Sequence, residues 1–131
     1  MSFSRVSLAA LIFAISLLPA PAAHADDTQD SKWGAIAIDT KKAEKAPYYG
    51  VGGDDTEDAA SETAMKNCKE AGGEQCKTIV TYEACGALAV DGKGTAGWGK
   101  APTKKDAEMQ ALSGCKEDAC QIVVSDCNTG N

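Results

Sequence analysis

Histidine is almost missing from this chain of 131 residues: His24 is the only one. It sits in a leader-like N-terminal stretch, and cleavage after Ala25 would remove it. What remains then has no Ser-His or Cys-His nucleophile pair and no histidine to ligate zinc. Aromatic residues make up only 5% of the chain, so any that reach the surface stand out. Long apolar runs are scarce too. The one candidate, Val6 to Leu18, is shorter than the roughly 20 residues of a bilayer span and lacks the basic flank that stops transfer. Basic side chains are outnumbered, 13 against 19 acidic, for a formal net charge of −6. Nucleic acid and anionic lipid both need clustered Lys and Arg. Neither is therefore an expected partner, whereas a basic protein is.

The N-terminus reads as an export signal over residues 1–25: Arg5, the apolar run, a Pro-Ala stretch, then Ala23-His24-Ala25 as a small-x-small cleavage site. No cysteine follows that site directly to carry a lipid. Residues 26–32 are polar, and a disordered terminus is expected there. The rest, 33–131, has the length of a single domain. A chain of this size buries only about 65% of its unfolded surface, so cross-links would help it. All six cysteines, Cys68, Cys76, Cys85, Cys115, Cys120 and Cys127, fall in this part. In an exported chain an even number reads as a disulfide framework. A thiolate metal site is the competing reading, but the spacing is not that of a zinc ribbon. The expected compartment is the periplasm or the exterior, with no metal and no cofactor.

The domain is a duplication. Trp33-Gly34-Ala35-Ile36-Ala37-Ile38-Asp39 is echoed by Cys85-Gly86-Ala87-Leu88-Ala89-Val90-Asp91, and Tyr49-Gly50-Val51-Gly52 by Ala96-Gly97-Trp98-Gly99. Thr56 to Cys68 covers the same distance as Thr103 to Cys115, with Ala60, Ala64 and Met65 matching Ala107, Ala111 and Leu112. Cys76-Lys77-Thr78-Ile79-Val80 resembles Cys120-Gln121-Ile122-Val123-Val124. Features repeated in the same order define two copies, 33–84 and 85–131.

Each copy reads as strand, turn, strand, helix, strand. The predicted class is α+β: a duplicated strand-strand-helix-strand motif forming antiparallel sheet with two helices, stapled by disulfides. Ala35–Ile38 and Ala87–Val90 are apolar throughout, as strands covered on both faces are. Asp91-Gly92-Lys93-Gly94 supplies a hairpin turn, where the first copy has the longer loop Thr40 to Pro47. Thr56 and Thr103 sit at helix N-caps, with Glu57, Asp58 and Asp106 complementing the dipole. Small residues on the inner helix faces permit close approach to a sheet. This layout and the repeat symmetry pair Cys68 with Cys76 and Cys115 with Cys120, and leave Cys85 for Cys127 as a clasp between the copies.

Candidate chemistry is thin. Asp39 and Asp91 are equivalent and could form a glycosidase-like carboxylate pair, although Asp is favoured at the start of a turn anyway. Asp54-Asp55-Thr56-Glu57-Asp58 offers oxygens to calcium but lacks the ligand spacing of an EF-hand, and a solvated helix start explains it as well. Gly50-Val51-Gly52-Gly53 before a helix has the look of a phosphate loop, yet it is followed by acids and no Lys. Tyr48, Tyr49 and Trp98 flank the Gly-rich strands, where rings with little cover would serve as interface anchors. No catalytic residues are assigned.

The Trp-Gly-Ala-Ile-Ala strand, the Gly-rich second strand, the Ala-rich helix ending in Cys, the Cys-x-x-Ile/Val-Val strand and Cys85-Gly86-Ala87-Leu88-Ala89 together resemble the family called domain of unknown function 4189, over Trp33 to Cys127. The resemblance implies a secreted or periplasmic bacterial protein, and it carries no catalytic motif to transfer. The function expected from these readings is a non-enzymatic binding module, such as an inhibitor or immunity protein, that meets a basic toxin or hydrolase through Asp54, Asp55, Glu57, Asp58, Tyr48, Tyr49 and Trp98. A secreted effector and a carboxylate-dependent hydrolase are the alternatives.

Overall fold

The computed structural model describes residues 31–39, 41 and 47–128. Residues 1–25, read above as an export signal, and most of the polar 26–32 segment lie outside the described residues, as does most of the Thr40 to Pro47 loop. In the first copy, β1 (Trp33–Asp39), β2 (Tyr49–Asp54), α1 (Glu57–Glu70) and β3 (Cys76–Tyr82) follow in order. The second copy repeats them as β4 (Cys85–Val90), β5 (Ala96–Ala101), α2 (Lys104–Cys115) and β6 (Gln121–Cys127). The α+β class and the duplicated motif are those read from the sequence.

Each copy forms its own antiparallel three-stranded sheet, ordered β2-β1-β3 and β5-β4-β6. Side chains alternate across a strand, and the two faces of each central strand have different work. Ala35 and Ala37 pack with Ala60, Ala64 and Cys68 under α1. Ala87 and Ala89 pack with Ala107, Ala111 and Cys115 under α2. The opposite faces contribute Ile36, Ile38, Val80, Tyr82, Leu88 and Val90 to one shared core. The molecule is thus four layers, helix on sheet on sheet on helix. That is why β1 and β4 read as unbroken apolar runs: both faces are covered.

The Gly-rich second strands are explained by helix approach. A methyl group on Gly50 would stand 2.2 Å from the Ala64 carbonyl oxygen, and one on Gly99 would stand 2.1 Å from that of Ala107. Gly50-Val51-Gly52-Gly53 is therefore strand under a helix and not a phosphate loop. The helices begin as expected: the Thr56 hydroxyl accepts from the Ala59 N–H at 3.2 Å and the Thr103 hydroxyl from the Asp106 N–H at 3.2 Å. One detail differs. Leu112, matched to the half-buried Met65, is exposed, because the buried stripe of α2 is confined to Ala107, Ala111 and Cys115.

All three disulfides join the expected partners, Cys68 with Cys76, Cys115 with Cys120 and Cys85 with Cys127. The first two tie each helix end to the strand after it. The third links directly paired residues of β4 and β6 and closes a separation of 42 residues.

Candidate functional site

The join between the copies is built around Tyr82. Its ring fills the space over two glycines that hold the same place in each copy: a methyl on Gly34 or on Gly86 would lie 2.2 Å from ring atoms. Its hydroxyl donates to Asp126 Oδ2 at 2.5 Å. Asn128 completes the join, its Nδ2 donating to the carbonyls of Tyr82 and Glu83 at 3.2 and 3.0 Å. A cleft of about 280 Å³ opens beside this region, lined by Trp33, Glu83, Cys85, Lys100 and Pro102 among others.

The candidate carboxylate pair has structural work to do at both members. Asp39 is 1% exposed. Its Oδ2 accepts from the backbone N–H groups of Glu74 and Gln75 at 2.9 and 3.1 Å, and its Oδ1 from that of Lys41 at 3.0 Å. Its carboxylate thus ties Lys41 and the turn before β3 to the end of β1. Asp91 holds its own hairpin, Oδ1 accepting from the N–H groups of Lys93 and Thr95 at 2.7 and 2.9 Å. The Lys93 N–H, foremost among these bonds, lowers the Asp91 carboxyl below its ordinary value. Gly92 and Gly94 of that hairpin carry φ of +78° and +110°, conformations that L side chains resist.

Asp54, Asp55, Glu57 and Asp58 are all exposed and gather at the end of β2 and the start of α1. Glu57 accepts from the Thr81 hydroxyl at 2.6 Å. Among the described residues none of the four has a salt-bridge partner, the only such pair being Lys66 with Glu70. Among the described residues, too, no three metal-ligating side chains come together.

The aromatic residues are exposed but lie elsewhere. Tyr48 and Tyr49 stand at the opposite end of β2, about 16 Å from Asp54 at the usual strand rise. Tyr48 lies over Gly72, in the turn after α1, where a methyl would meet its ring at 2.8 Å. Trp98 is on β5, and β5 packs near β3, the edge of the first sheet farthest from β2. The seven residues thus divide among three places: an acidic end, a tyrosine pair and a lone tryptophan. The sequence reading missed what surrounds that tryptophan. Trp98 and Met109, 49% and 52% exposed, border one shallow groove with Ala101, Pro102, Gln110 and Ser113. The helical spacing that buries Ala107 and Ala111 already turns Met109 outward, and that signal was present in the sequence.

No curated protein and no solved structure matches the chain. Among the described residues no helix is long and apolar enough to cross a membrane. The model of the family described as a domain of unknown function (DUF4189) matches residues 33–127, from the first strand through the last disulfide, and the chain belongs to that family.

Proposed function

We propose that the protein is an exported, non-enzymatic binding module whose acidic end takes a basic protein partner in the periplasm or outside the cell, as an inhibitor or immunity protein would. The observation that carries this reading is the group Asp54, Asp55, Glu57 and Asp58, exposed together and unpaired with any described cation. Complementary charge of this kind steers a cationic partner and fixes its orientation. Three disulfides support export, because such bonds persist in oxidising compartments. The non-enzymatic part draws support from Asp39 and Asp91, whose carboxylates accept backbone N–H groups in turns.

The test is capture of partners from periplasmic and culture-supernatant extracts by the oxidised protein, at low and high salt. A stoichiometric basic protein, bound at low salt and released at high salt, is the expected result. No basic partner in either extract would sink the reading and shift weight to an effector whose target lies in another cell.

A further inference from the structure

One place in the duplication is cross-linked in the second copy and open in the first. Cys85, the first residue of β4, is bonded to Cys127, which lies directly across from it on β6. By the register of the repeat, the same two positions of the first copy hold Trp33 and Glu83. In place of a bridge, these two line the cleft of about 280 Å³ at the join, facing Lys100, Ala101 and Pro102 of the second copy. Glu83 and Lys100 supply the charge on its wall, one of each sign, and both are exposed. Among the described residues neither has a salt-bridge partner, although they border the same small space. Both are anchored through their backbones. Glu83 belongs to the two-residue link between β3 and β4. Asn128, itself 2% exposed, holds that link: its Nδ2 donates to the carbonyls of Tyr82 and Glu83, and its backbone N–H donates to the carbonyl of Ala84 at 2.8 Å. Lys100 pairs with Gly86 on β4, and its N–H donates to Gln110 Oε1 at 3.2 Å. Walls fixed in this way have less order to lose on binding.

We infer that this cleft is a binding site for a small zwitterion: an amino acid or short peptide with free termini and an apolar side chain. Glu83 takes the ammonium group, Lys100 takes the carboxylate, and the Trp33 ring with Ala101 and Pro102 covers the apolar part. The size of the cleft sets the scale, since its volume lies just under the range of about 300–1,000 Å³ that holds drug-sized ligands. The opposed charges set the class. A simple anion would be repelled by Glu83 and a simple cation by Lys100, whereas a ligand carrying both charges meets a complement on each wall. Hydrogen bonds between ionised groups are the strong ones. The site exists only where the copies meet, because Trp33 and Glu83 come from the first and Lys100, Ala101 and Pro102 from the second. It goes beyond the proposed function and uses none of the acids at Asp54–Asp58, so the two can fail separately.

The experiment is an NMR titration of the oxidised protein purified after export, following backbone amides and the Trp33 indole N–H, with leucine and alanyl-leucine as probes. At least one probe is expected to give saturable shifts at Trp33, at 83–85 and at 100–102, and the tighter of the two tells a free amino acid from a peptide. N-acetylation and C-amidation of the better probe should each weaken binding by about tenfold or more, the effect of losing one charge-assisted hydrogen bond. Glu83→Gln and Lys100→Met should weaken the unmodified probe to the same degree. Crossing the two series is decisive. The acetylated probe should be indifferent to Glu83→Gln, and the amidated probe to Lys100→Met. Both substitutions are at exposed positions, and the dispersion of the amide spectrum confirms that each variant is folded. Absence of saturable shifts with both probes overturns the inference, as does binding that survives blocking of either terminus, or variants whose losses do not follow the terminus that each is assigned. Capture of a basic partner should be unchanged in Lys100→Met, which separates this inference from the proposed function.

Discussion

Tyr82 and Asp126 occupy the same position in the two copies, each opposite the second residue of its central strand, and they hydrogen-bond to one another at 2.5 Å. The pseudo-symmetry that relates the copies therefore passes between a phenol and a carboxylate. An exact repeat would have set two like residues face to face there. Divergence at this one pair made donor and acceptor out of equivalent positions, and it did so where the ring also covers Gly34 and Gly86.

Removing the hydroxyl should be felt. Tyr82→Phe is expected to cost about 1.5–3 kcal/mol, the range for a hydrogen bond to a charged group, read as a lowered urea midpoint with an unchanged slope.

Gly34→Ala and Gly86→Ala should each cost about 1–3 kcal/mol, since a methyl enters space the Tyr82 ring fills. In a Tyr82→Leu background the same substitutions should cost much less. A double-mutant cycle measures the coupling, and strictly additive costs would contradict the packing described.

The disulfides should rank by the loop each closes. In the chain-entropy account, losing Cys85–Cys127 costs about 4 kcal/mol, and losing Cys68–Cys76 or Cys115–Cys120 about 2–2.5 kcal/mol. Paired Cys→Ser variants followed by thermal unfolding check the order.

Asp39 and Asp91 should differ despite their equivalence. Asp39→Ala removes the buried carboxylate that accepts from the backbone N–H groups of Glu74 and Gln75 and is expected to cost about 1–3 kcal/mol. Asp91→Ala should cost less, in an open hairpin. The Asp91 carboxyl is held below its ordinary value of 3.8 in the folded state, so its contribution is present above that pH and fades as pH falls through the lower folded value. Stability of the wild type should therefore drop, as pH falls below about 4, more than that of Asp91→Asn. Urea titrations across that window give the comparison.

Much of this was legible from residue order. Repetition of Gly-Ala-x-Ala, Gly-x-Gly and the two Thr caps exposed the duplication, and symmetry among the cysteines then selected one pairing. Two features were hidden. Whether the strands make one sheet or two depends on what covers Ile36 and Leu88, and apolar residues alone do not name their neighbours. The site was less legible still. Residues close in sequence, such as Tyr49 and Asp54, are carried to opposite ends of one strand, while Trp98 and Met109 come together only through the packing of α2 on β5. What did signal the site was the departure from symmetry: acids after Thr56, lysines after Thr103.

That departure is the centre of the functional account, and it can be tested against a control of equal charge. The salt-sensitive capture of a basic partner would be measured for the wild type, for Asp55→Lys with Asp58→Lys, and for Glu117→Lys with Asp118→Lys, which reverses two exposed acids beyond α2. The account predicts that reversal at Asp55 and Asp58 abolishes capture while reversal at Glu117 and Asp118 leaves it nearly intact. Equal loss in both would show that net charge alone attracts the partner, and undiminished capture by the first variant would contradict the acidic end as the binding surface.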